Sequence, residues 1–208
     1  VAIQNITEPV GLSVFWITSS HKTLLAMTHF AQKMIYATRP CKGTGFHMTV
    51  IIGIDPGSLK TGYGVIRVEG NRHIHLSSGH IDLAHEPSTR RLRKLFLSLQ
   101  EVISEYQPLE AAIEQVFMHV NPLSALKLGQ ARGAAIVAFD HIPMSEYSAR
   151  AIKKSVVGYG AAKKEQVQYM VARLLNLRVT LQPDAADALA VALCHAHARC
   201  LKKIGELR

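Results

Sequence analysis

Acidic residues are scarce in this 208-residue chain: 15 Asp and Glu stand against 24 Lys and Arg, a formal net charge of +9. That imbalance points to an anionic partner, with nucleic acid first. Cysteine is scarcer still. Cys41, Cys194 and Cys200 are the only three, and none forms a CxxC pair, which excludes a disulfide framework and fits a reducing compartment. No apolar run approaches the roughly 20 residues that a membrane span requires, so none is expected. The chain has no internal repeat and no low-complexity tract. The Walker spacing G-x-x-x-x-G-K-[ST] is also missing, so Gly158-Tyr159-Gly160 with Lys163-Lys164 is like a phosphate loop only superficially.

What is present is an ordinary globular balance, 48% hydrophobic and 19% charged, enough for one domain with a real core, or one domain plus an extension. Residues 1–47 stand apart. Glu8 is their only acid, Lys22, Lys33, Arg39 and Lys42 are their only Lys/Arg, and Pro9, Gly11 and Pro40 interrupt any long element. Their lysines follow the short apolar run rather than precede it, unlike a signal peptide. The expectation is an N-terminal extension over 1–47, apart from the fold, with Met48 as the natural start and the domain at 48–208.

From Met48 the pattern is regular. Val50-Ile51-Ile52-Gly53-Ile54-Asp55 is an apolar, β-branched run ending in an acid, and Pro56-Gly57 turns it. It reads as a strand over Thr49 to Asp55, forming a hairpin with a second over Gly62 to Glu69 and placing Asp55 at the hairpin edge beside the turn. Gly70-Asn71 turns into a third strand, Arg72 to Ile81. Leu92, Leu95, Phe96, Leu99, Val102 and Ile103 recur at helical spacing up to Tyr106. Leu109 to Gln115 is a fourth strand, Ile142 to Glu146 a fifth. Helices are expected over Leu123–Asp140, Ser148–Val157, Ala162–Leu175 and Asp184–Leu201. The sum is a mixed-sheet α/β domain. The helix from Leu123 is rich in Ala and Gly, which suits either a dimer interface or a tightly packed core.

The chemistry lies in carboxylates. Asp55 alone is a metal ligand, a strand-end cap or a surface residue. Asp184 and Asp187 share one face at the start of a helix. One aspartate there needs only the macrodipole, but two repel unless a cation sits between them. Glu114 follows Ala111-Ala112-Ile113 in an expected central strand, where a carboxylate is costly unless paired or metal-bound. Converging at one end of the sheet, the four suit a hard cation such as Mg²⁺. Two such ions, roughly 3.5–4 Å apart, activate water and stabilise the leaving oxygen in phosphodiester hydrolysis.

Other features are weaker. His195 and His197 point in different directions from one helix, against a zinc site with Cys194 and Cys200. Arg150, Lys153, Lys154, Lys163 and Lys164 form a basic strip that is either a phosphate anchor or a solvated face. Phe117 is either a loop plug or a platform for an unpaired base.

Gly53-Ile54-Asp55-Pro56-Gly57 with Thr61-Gly62-Tyr63-Gly64 resembles the opening of the bacterial Holliday junction resolvase family, RuvC. Ile113-Glu114-Gln115-Val116-Phe117, the stretch Ser124 to Gly133, Val156-Val157-Gly158 with the Lys164 region, and Asp184-Ala185-Ala186-Asp187-Ala188-Leu189-Ala190 are similar to its other motifs. The resemblance covers Met48 to about His197 and leaves residues 1–47 without counterpart. It implies an RNase H-like fold with a five-stranded mixed sheet flanked by helices. It also implies a cytoplasmic homodimer making Mg²⁺-dependent, symmetrical cuts in four-way junction DNA during recombination and repair, beside a junction-binding and branch-migration complex (RuvA, RuvB). The catalytic and metal-binding acids fall on Asp55, Glu114, Asp184 and Asp187. Phe117 takes the stacking role, Lys153 and Lys164 the phosphate contacts, and the helix from Ser124 the dimer interface.

Three competitors remain. An actin-like or sugar-kinase ATPase opens similarly but needs two lobes and more chain. Another nuclease of the same fold would cut hybrid or duplex. A binding-only protein would find intact carboxylates repelling phosphates.

Overall fold

The computed structural model describes residues 48–116, 121–178 and 181–206. The expectation for residues 1–47 therefore lies outside the described residues. Five strands, β1 (Thr49–Asp55), β2 (Lys60–Glu69), β3 (Arg72–Asp82), β4 (Glu110–Glu114) and β5 (Met144–Tyr147), form one sheet. Five helices accompany them among the described residues: α1 (Ser88–Tyr106), α2 (Pro122–Ala138), α3 (Ala149–Val157), α4 (Lys164–Leu174) and α5 (Pro183–Glu206).

The sheet order is β3-β2-β1-β4-β5. β1 and β2 are antiparallel, as are β2 and β3, whereas β4 runs parallel to both β1 and β5. The expected β1–β2 hairpin is there, but β4 covers its other side. Asp55 therefore ends an interior strand.

Side-chain alternation sorts the strands onto two faces. Ile52, Ile54, Ala111 and Ile113 face α1 and α2, packing with Leu95, Leu99, Ala131 and Ala135. Ile51, Ile66 and Ala112 face the other way, onto Ile152, Val156, Val167, Val171, Leu189 and Leu193 from α3, α4 and α5. The same period-two rule puts Asp55 and Glu114 on the α5 side.

Several boundaries differ from expectation for local reasons. β2 starts at Lys60, two residues early, because the turn is closed tightly: Thr61 Oγ1 donates to the Gly57 carbonyl (3.0 Å) and accepts from its N–H (3.3 Å). β5 starts at Met144, because Ile142 N–H still bonds back to Phe139 O and Pro143 offers only its carbonyl, to Ala111 N–H. α2 ends at Ala138, and Asp140 beyond it takes a left-handed φ of 40°. α4 starts at Lys164, where the Gln166 side chain accepts from Lys163 N–H at 2.9 Å. α5 runs on to Glu206.

The small residues of α2 divide. Ala131, Ala135 and Ala138 are buried in the core, whereas a Cβ at Gly129 or Gly133 would meet open space, and Leu123, Leu126 and Val137 are exposed.

Candidate active site

Helix α5 approaches the sheet closely enough to need glycine beneath it. A Cβ at Gly53 would overlap the backbone of Ala188 and Ala192, one at Gly64 would meet Leu189, and one at Gly62 would overlap the Asp184 carbonyl. Gly62 pairs with Asp55, and Gly64 with Gly53, across the β1–β2 ladder. The glycines thus set the height of the first turns of α5 above the end of β1. Buried Ala185, Ala186, Ala188 and Leu189 hold that end down.

The consequence is electrostatic. Burial pushes the Asp55 carboxyl from its usual 3.8 up to about 7, reinforced by the negative charges of Glu114, Asp187 and Asp184, while Lys164 pulls it down. Glu114 is also raised, first by burial and then by Asp187, against the pull of Lys153 and Lys164. The four acids expected to converge therefore share one site. Lys164 Nζ lies 2.5 Å from Asp187 Oδ2, and this hydrogen bond raises the Lys164 pKa. Lys153 and Lys164, separated in sequence, flank the same carboxylates.

Among the described residues, no three or more His, Cys, Asp or Glu side chains gather at metal-ligand distances. The donor set nevertheless fits a hard divalent cation. It is all oxygen, partly buried and mutually repulsive, and it already accommodates an ammonium on Asp187. Phe117 lies outside the described residues, so its surroundings are not part of this geometry.

The two α5 histidines serve other contacts. His195 Nε2 is 2.8 Å from Glu110 Oε2 and its Nδ1 is 2.8 Å from the Tyr147 hydroxyl. Arg199 Nη2 donates to Glu110 (2.9 Å) and to Thr49 Oγ1 (3.1 Å). His197 Nδ1 lies 3.0 Å from Ser155 Oγ, with its ring edge-on to His73. Sequence reasoning missed this Glu110 network, and it missed the docking role of the glycines. Gly62 and Gly64 share one face of β2 by period-two counting, and that was the available signal; Gly53 joins them through the β1–β2 register.

An acidic cluster at the end of an RNase H-like sheet, flanked by lysines, defines a nuclease-type site. The family model of crossover junction endodeoxyribonuclease RuvC matches residues 51–195. The RuvC of Acinetobacter baumannii is 56% identical over 153 residues, spanning 73% of this chain and 84% of that protein. A Shewanella RuvC is 55% identical, spanning 73% and 89%. Among solved structures, Thermus thermophilus RuvC in complex with a Holliday junction substrate superposes with a TM-score of 0.70 at 32% identity, over 74% of this chain and 96% of that one. The yeast mitochondrial Holliday junction resolvase shares the fold, with a TM-score of 0.54 at 10% identity over 76% and 85%. The chain belongs to the RuvC family of crossover junction endodeoxyribonucleases.

Proposed function

We propose that this protein resolves four-way DNA junctions by paired, symmetrical, metal-dependent nicks. The observation that carries the proposal is the meeting of Asp55, Glu114, Asp184 and Asp187 at one end of the sheet, where burial and mutual repulsion hold Asp55 up at about 7. Such a site gains by taking a cation. In this reading the four acids hold Mg²⁺, two ions per site, which supply Lewis-acid stabilisation and an activated water.

The chain's own residues do the rest. Lys164, hydrogen-bonded to Asp187, and Lys153, near Glu114, receive the scissile phosphate. Lys164 also opposes the upward shift of the Asp55 and Glu114 carboxyls, and Lys153 that of Glu114. Phe117 stacks on a base at the junction centre. Two sites are needed for two cuts. The exposed Leu123, Leu126 and Val137 on α2, with open space at Gly129 and Gly133, support a homodimer through that helix. The nuclease unit is residues 48–208, with 1–47 an extension apart from it. RuvA and RuvB form the partner complex. No described helix is long and apolar enough to cross a membrane, and the protein acts in the cytoplasm during recombination and repair.

The test is Asp55→Asn. It removes a ligand charge with little change of shape, so junction cutting should vanish while junction binding persists. Loss of both would refute this division between binding and chemistry.

A further inference from the structure

We propose that the first two turns of α1, together with Lys60, form a second phosphate-contact surface that receives a duplex arm of the DNA. This rests on the junction-cutting reading above.

The charges of α1 are reversed with respect to its own dipole. A helix favours acids at its N-terminus and bases at its C-terminus. Here Arg90, Arg91, Arg93 and Lys94 crowd the start, Glu101 and Glu105 lie towards the end, the first turn holds no acid and the last turn no base. That order costs helix stability, and no internal partner offsets all of it. Arg91 is used within the fold: its Nε donates to Glu86 O (2.9 Å) and its Nη2 to Ala84 O (3.3 Å). Lys94 pairs with Glu86 at 3.2 Å. Arg90 and Arg93 are exposed, and among the described residues their side chains have no hydrogen-bond or ion-pair partner. The other acid nearby, Asp82, accepts from Ala84 N–H at 2.8 Å.

Topology puts this face beside the carboxylates. The linker from β3 into α1 is tied to the turn that follows Asp55, Leu83 N–H donating to Leu59 O at 2.8 Å. Lys60 pairs with Asp82 in the same ladder. The Lys153 and Lys164 side of the site is carried by α3 and α4, on the opposite face of the sheet. Positive charge therefore lies on both faces of the sheet at the end that carries the acids. One strip faces the phosphate to be cut. The other is suited to backbone phosphates of a duplex arm leaving the site, because unpaired arginines contribute through counterion release without reading sequence.

The experiment measures junction affinity against salt for wild type and the double variant Arg90→Gln, Arg93→Gln, on immobile junctions with long and short arms. Two lost phosphate contacts should make the log–log slope shallower by about 1.8, at about 0.9 per contact, on the long-armed junction only. The thermal midpoint should hold or rise, since charges unfavourable to the helix are gone. An unchanged slope on long arms overturns the proposal, as does an equal loss on both junctions or a lowered midpoint, which would mean action through the fold. Wild-type cutting is followed in parallel. Failure to nick any junction with the slope difference intact would sink the junction-cutting reading and leave the phosphate surface standing.

Discussion

The backbone carbonyl of Asp184 occupies the space in which any side chain at Gly62 would begin. Because Gly62 is the ladder partner of Asp55, this one contact fixes the helix that carries two acids against the strand that carries a third. Gly62→Ala should lift the start of α5, cost about 1–3 kcal/mol as overpacking does, and reduce cutting more than binding. Denaturant melts and junction cleavage on one preparation check this; an unaltered midpoint would mean α5 sits further from β2.

The Asp55 carboxyl implies a stability that depends on pH. Its folded pKa of about 7 lies above the ordinary 3.8, so between those values the folded chain binds more protons than the unfolded one. Stability is then fully present below about 3.8 and is lost as pH rises through about 7. In metal-free protein, Asp55→Asn should melt several degrees higher than wild type at pH 8, and the difference should shrink towards pH 4. Equal midpoints at pH 8 would contradict the burial and repulsion assigned to this group.

The same carboxyl sets a pH dependence for metal use. Below about 7 a cation must displace a proton from Asp55, so the Mg²⁺ concentration for half-maximal cutting should rise as pH falls from 8 to 6. Lys164 lowers the Asp55 pKa, so Lys164→Gln should move that dependence to higher pH besides slowing the reaction. A profile that keeps its position in Lys164→Gln would remove Lys164 from the carboxylate cluster.

The order of strands and helices was legible in the sequence because apolar period and turn residues were strong, as in Val50–Asp55 and Leu92–Ile103. The placement of the four candidate acids was legible too. Asp55 and Glu114 end apolar strands, and Asp184 and Asp187 share a helix face, so each position is dictated by its own element. What was not legible depends on contacts distant in sequence. The start of β5 is a local exception: Ile142 N–H bonds back to Phe139 O, and the strand begins two residues later than expected. The fit of Gly53, Gly62 and Gly64 under α5 needs the helix already in place. Glu110, at the other end of the strand that bears Glu114, gains its role only from His195 and Arg199, which lie far away in the chain.

That Glu110 network is structural and separable from the chemistry. Glu110→Gln should leave Arg199 and the buried His195 less well compensated and cost about 1–3 kcal/mol. The cleavage rate of the folded fraction should stay near wild type. A variant equally stable but slower would place the network in the mechanism instead.

Phe117→Ala separates stacking from packing. If Phe117 holds an unpaired base, the variant keeps its fold and loses about 1–3 kcal/mol of junction stabilisation, read as slower cutting at subsaturating enzyme. Undiminished cutting returns Phe117 to a loop plug.

The central claim, a carboxylate site that cuts four-way junctions with metal, is tested most directly by incubating the protein with a synthetic immobile junction, with and without Mg²⁺, beside linear duplex and RNA–DNA hybrid. Paired symmetrical nicks on the junction alone, and only with metal, are the predicted result. Cutting of duplex or hybrid in preference, or cutting that persists in chelator, would contradict it.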